Sequence, residues 1–138
     1  MGGFDGTGFL ESQPAWVPIL NRNSDFLVTL KHLSMNNHII KGTDKNYSVM
    51  IDSGTTFSYF PKQLFDLLES HFKWFLRIDP DNNIKGSEDF SYGRLCWRLD
   101  DYTSSHQFIQ SMPIIRFAFD TDQGGLYEYD WYPSEYLY

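Results

Sequence analysis

The stretch Val49-Met50-Ile51-Asp52-Ser53-Gly54-Thr55-Thr56-Phe57-Ser58-Tyr59-Phe60-Pro61 constrains this chain more than any other, because it drives an apolar run straight into an acid. Val49, Met50 and Ile51 have the composition of a strand buried on both faces, and a carboxylate at the end of such a strand is costly to desolvate unless it is hydrogen-bonded. The next residues supply the bonds. Ser53, Thr55 and Thr56 offer hydroxyl donors, and Gly54 permits a sharp turn that leaves its N–H facing the acid. The pattern predicts a strand over 47–52 that presents a held carboxylate, Asp52.

The chain of 138 residues is 41% hydrophobic and 18% aromatic, enough for a single domain over 1–138 with a packed core. Its 11 basic residues against 18 acidic ones give a net charge of -7. That balance excludes an electrostatic grip on nucleic acid or on an anionic membrane and leaves peptide-like or neutral partners. No run approaches the ~18 consecutive apolar residues of a spanning helix, and no charged head with an apolar stretch marks a leader at Met1. The single cysteine, Cys96, is either an apolar filler or half of a pair whose partner is missing. Asn46-Tyr47-Ser48 matches the N-glycosylation acceptor pattern, which as a three-residue motif also recurs by chance.

In chain order, Met1 to Gly8 is glycine-rich and reads as a turning entry segment. It lacks the Lys-Ser/Thr ending of a phosphate loop. Pro14 to Leu20 is apolar but bracketed by Pro14 and Pro18, which confines it to an edge strand or an extended crossing segment. Phe26 to Leu33 alternates as a strand, Asn36-Asn37 supplies a turn, and His38-Ile39-Ile40 returns as the second arm of a hairpin. Pro61 suits the first turn of a helix that runs to about Phe75, with Leu64, Phe65, Leu67, Leu68, Phe72 and Phe75 as its core stripe. Arg94 to Leu99 and Ile114 to Phe119 read as strands, Gly124-Gly125 as a turn, and Leu126 to Tyr129 as a strand that pairs back. Trp131-Tyr132-Pro133 leads to a last aromatic segment, Tyr136-Leu137-Tyr138. The expected class is mainly antiparallel β with one good helix.

Several chemistries are excluded by spacing. Asp79-Pro80-Asp81-Asn82-Asn83 alternates acids as a calcium loop does, but Ile84 stands where the sharp-turn glycine belongs and Phe90 where the bidentate glutamate belongs. His32, His38, His71, His106 and Cys96 form no ligand set with the usual metal spacing. No serine sits in a Gly-x-Ser-x-Gly elbow. These exclusions predict no metal and no cofactor, and they leave carboxylate chemistry at Asp52.

Ile51-Asp52-Ser53-Gly54-Thr55-Thr56-Phe57 resembles the second active-site motif of the pepsin-like aspartic proteases. The resemblance extends along the chain in the family's order. Gly2-Gly3-Phe4-Asp5 looks like the Gly-Gly-x-Asp of the lobe junction, and Trp16-Val17-Pro18-Ile19 like the Trp-Val-Pro segment after it. Phe26 to Met35 is similar to the strand that leads into the C-terminal lobe. Cys96, Met112-Pro113-Ile114-Ile115-Phe117 and Pro133-Ser134-Glu135-Tyr136-Leu137 then resemble a Cys, a Leu-Pro-x-Ile-x-Phe strand and a Pro-x-x-Tyr segment.

This resemblance implies an incomplete C-terminal lobe of a bilobal acid protease, acting on peptide or protein substrates. In the family two aspartates, one per lobe, hold a water between them; one is protonated while the other serves as base, because like charges so close cannot both ionise cheaply. By resemblance Asp52 is the second of these acids. Gly54 and Thr55 would support it by backbone N–H and hydroxyl, Ser53 would form the hydroxyl lock between lobes, and Thr56 would contact the substrate backbone. Only one such motif occurs here, since Asp5-Gly6-Thr7-Gly8 has the wrong order. The first aspartate and its N-terminal lobe are therefore expected outside these residues, as is a partner for Cys96, and the isolated chain is expected to be inactive. Two rival readings are a catalytically dead peptide-binding module of the same fold, and a pairing of two copies that brings two Asp52 residues together. A purely structural Asp52 would lie in solvent without hydroxyl partners. Secretory, vacuolar or lysosomal placement follows from the family alone.

Overall fold

In the computed structural model, residues 15–20, 26–40, 42–43, 45–78, 86–89, 96–99 and 104–137 are described. The glycine-rich entry, the 79–83 acidic loop and the side chain of Cys96 lie outside them, as do Pro14, Arg94, Leu95 and Tyr138.

Alternating apolar residues make Leu27–Met35 the central strand, β1. Asn36 and Asn37 both adopt positive φ, 47° and 65°, the backbone of a type I′ turn that asparagine tolerates, and they return the chain into the short strand β2, His38–Ile39. Strand β3, Tyr47–Met50, pairs with the first half of β1, from Leu27↔Met50 to Leu30↔Tyr47. On its other edge β1 pairs with β6, Ile115–Asp120, which pairs in turn with β7, Leu126–Trp131. All these pairings are antiparallel. A separate ribbon joins β4, Gly86–Asp89, to β5, Cys96–Leu99.

The register of β1 on β6 slips between Leu30 and His32, leaving Lys31 as an extra residue. A one-residue slip exchanges the two faces of a strand. Val28 and Leu30 are the buried residues before the slip, and Leu33 and Met35 join the same core after it. On this apolar side Phe117 stacks with Phe119 and meets Trp131 edge-on, at centroid distances of 6.4 and 5.6 Å. Other strand positions carry ion pairs: Lys31 with Asp120, and Arg116 with Glu128 and, through two hydrogen bonds, with Asp130. The Arg116 guanidinium holds the Asp130 carboxyl below the usual carboxylate range.

Helix α1, Lys62–Ile78, lays Leu64 and Leu68 into the sheet core, with Leu67 and Phe72 half-buried beside them. Phe65 does not join the stripe and is exposed. Phe72 also belongs to a second cluster, around Phe108 and Met112, that includes helix α2, Ser105–Ser111. The helix expected after the Asp52 turn is α1, and among the described residues α2 and a short α3, Pro133–Tyr136, add to it. The Tyr136 hydroxyl donates to the Pro113 carbonyl at 2.5 Å, and burial pushes its pKa up.

Thr43 is fully buried, and its hydroxyl ties the middle of β1 to the segment after β2. It accepts from Leu33 N–H at 3.0 Å and donates to the Ile40 carbonyl at 2.7 Å. Thr43→Val keeps the shape and removes both bonds. Its expected cost is about 1–3 kcal/mol in urea unfolding, because buried groups are left unpaired.

Candidate active site

Strand β3 ends at Met50, two residues short of the acid, and Ile51 N–H still bonds the Phe26 carbonyl at 3.0 Å. Asp52 therefore begins a loop that hangs from the edge strand. Its far end is fastened by Phe60, which stacks on Phe117 at 6.5 Å and lies 6.4 Å from Trp131, before Pro61 leads into α1. Phe60 is an anchor that sequence reading passed over. Its signal is an aromatic residue placed directly before the helix-starting proline.

Within this loop the carboxylate is gripped on both oxygens. Gly54 N–H donates to Oδ1 at 2.9 Å, and the Thr55 hydroxyl donates to Oδ2. The Thr55 N–H also bonds the Asp52 carbonyl at 3.4 Å, closing a tight turn. Ser53 and Thr56 are exposed on the same turn. The need for glycine at position 54 is one of room: a Cβ there would lie 3.2 Å from Asp52 Oδ1, whereas Gly54 is absent from the residues of positive φ.

The expected double-sided burial of the run before the acid is not observed. Val49 is half-buried, while Met50 and Ile51 are 55% and 53% exposed. The reason is topological. Met50, like Ser48, lies on the face of β3 opposite Tyr47 and Val49, and Ile51 lies past the end of this strand, which among the described residues pairs with β1 alone. Asp52 is likewise exposed, so its carboxylate is held by donors and not by burial.

The Thr55 hydroxyl, then the Gly54 N–H, lower the Asp52 pKa from its ordinary value, against an opposing contribution from desolvation. The group thus stays ionised further into acid than a free aspartate. Its contribution to stability is present above the unfolded-state pKa and is lost as pH falls through the lowered folded value. A carboxyl-carbon NMR titration should place the Asp52 midpoint below the ~3.9 of an unperturbed aspartate, and Thr55→Val should raise it toward that value. A midpoint that does not move in Thr55→Val would separate the two groups.

Met50, Ile51, Phe57 and Tyr59, large apolar residues that flank Asp52 along the chain, are exposed. A polar, doubly held acid with exposed apolar neighbours in sequence is suited to activating or polarising a small group docked on it. Among the described residues no group of three or more His, Cys, Asp or Glu side chains could hold a metal ion.

The antiparallel sheet thus presents a hydrogen-bonded Asp-Ser-Gly-Thr turn at the end of β3. The family model described as eukaryotic aspartyl protease matches residues 1–123, and the chain belongs to that family, one of peptide-bond hydrolases. No curated protein and no solved structure matches the chain.

Proposed function

We propose that this chain supplies one half of an aspartic endopeptidase site, with Asp52 as one of two carboxylates that share a water. The observation that carries the reading is the grip on Asp52, one donor to each carboxylate oxygen at the exposed tip of an edge strand. Held in its charged form, Asp52 is prepared to take a proton from the water, which attacks the peptide carbonyl. The second, protonated carboxyl polarises that carbonyl, and it comes from a lobe outside these 138 residues.

Gly54 and Thr55 are positioning residues in this scheme. Ser53 is assigned to the hydroxyl contact between lobes, and Thr56 to the substrate backbone. The exposure of Met50, Ile51, Phe57 and Tyr59, which flank Asp52 along the chain, supports the same reading, because exposed apolar area of this kind marks a surface that is covered in use.

One carboxylate cannot act as acid and base in the same step. The purified chain is therefore expected to leave a denatured protein intact at acid pH. Cleavage that is blocked by a statine-type inhibitor and abolished by Asp52→Ala would overturn the half-site assignment.

A further inference from the structure

We propose that Asn46 is an N-glycosylation site, occupied by an oligosaccharide on the solvent side of β3. Asn46-Tyr47-Ser48 is the only Asn-x-Ser/Thr in the chain, and its middle residue is not proline. The pattern alone carries little weight, but the fold adds three observations to it.

The first is orientation. The half-buried Tyr47 side chain packs against the sheet core, and its hydroxyl donates to the Gly42 carbonyl at 3.4 Å. Ser48, next to Tyr47 on β3, points to the opposite face, and Asn46, just before the strand, is exposed as well. The second is backbone independence. Asn46 precedes the first residue of β3 and holds a φ of 53°, in the left-handed region that asparagine tolerates, so its backbone lies outside the β1–β3 pairing. The third is clearance from the active-site turn. Asn46 and Asp52 are six positions apart and lie beyond opposite ends of β3, whose extended backbone over 47–50 spans roughly 10 Å. A glycan at Asn46 leaves Asp52 open while covering an edge strand that would otherwise invite pairing with another chain.

The co-reactant is an oligosaccharide carried on a polyprenyl pyrophosphate. A bond forms between Asn46 Nδ2 and the anomeric carbon, and the anomeric C–O bond breaks. The lipid pyrophosphate leaves with the bonding pair, one amide proton is lost to base, and no atom changes oxidation state.

The test places a cleavable endoplasmic-reticulum leader before residues 1–138 in a eukaryotic host and reads intact masses of all leader-processed chain, secreted and retained. The expected result is a mass increase of one oligosaccharide per chain. Peptide-N-glycosidase in heavy-oxygen water should remove it and label position 46. Ser48→Thr should keep the glycan and Ser48→Ala should lose it. Ser48→Ala is preferred to Asn46→Gln because it leaves the left-handed residue in place. Leader-processed chain of unmodified mass, or a glycan that survives Ser48→Ala, would overturn the proposal.

Discussion

Asp52→Asn is expected to lower kcat by about 10⁴-fold in the two-lobed enzyme formed when these 138 residues are joined to a lobe carrying the second carboxylate. The amide is nearly isosteric with the carboxylate and keeps an oxygen to accept the Gly54 N–H, so the turn should persist. What it loses is the capacity to take a proton from water. KM should change little, since the proposed role of Asp52 is toward the reacting water and substrate binding is assigned to Thr56. The control is stability: Asp52 is exposed, so the unfolding midpoint should move by no more than ~0.5 kcal/mol. Retained kcat with an intact fold would remove Asp52 from the chemistry. A lost fold would show that the turn serves stability first.

Leu33→Ala should produce the largest loss of stability, about 2–5 kcal/mol in urea unfolding. Leu33 has 0% exposure and sits in β1, just past the register slip, with Leu30 and Ile115 in the same cluster. The strands on both sides of β1 are hydrogen-bonded to it, which limits how far the site can collapse around the missing atoms. Against a total of about 5–15 kcal/mol for a domain, such a loss is a large fraction of what keeps the fold together. Leu126→Ala, at a position 51% exposed on β7, should cost no more than ~0.5 kcal/mol and so serves as the comparison. Equal losses at the two sites would contradict the placement of the core on the β1 side.

Much of this was legible from residues alone because short-range chemistry decided it. Asn36-Asn37 specified the hairpin, since few residues tolerate two successive left-handed backbones. Pro61 and the Leu64–Leu68 spacing specified α1, and the Gly124-Gly125 turn located the β6–β7 return. Helix α2 had a readable signal that went unused, the Ser104–Gln107 capping box: the Ser104 hydroxyl accepts from Gln107 N–H while the Gln107 side chain accepts from Ser104 N–H.

Other features depend on contacts between distant residues. The face exchange at Lys31 is invisible in an alternating pattern, because it exists only relative to β6. Phe65 repeats at helical spacing like its neighbours, yet it is exposed, and only the packing of α1 in the fold shows it. The apolar run before Asp52 looks doubly buried by composition, and only the strand order shows that nothing among the described residues pairs with its outer edge. By itself the sequence determined the identity of the acid and its nearest donors, because Asp52, Gly54 and Thr55 lie within one turn of chain and their hydrogen bonds are local. Only the tertiary structure decided that this acid stands in solvent at a sheet edge, hung between β3 and the Phe60 anchor, because exposure is set by which strands and helices arrive from elsewhere.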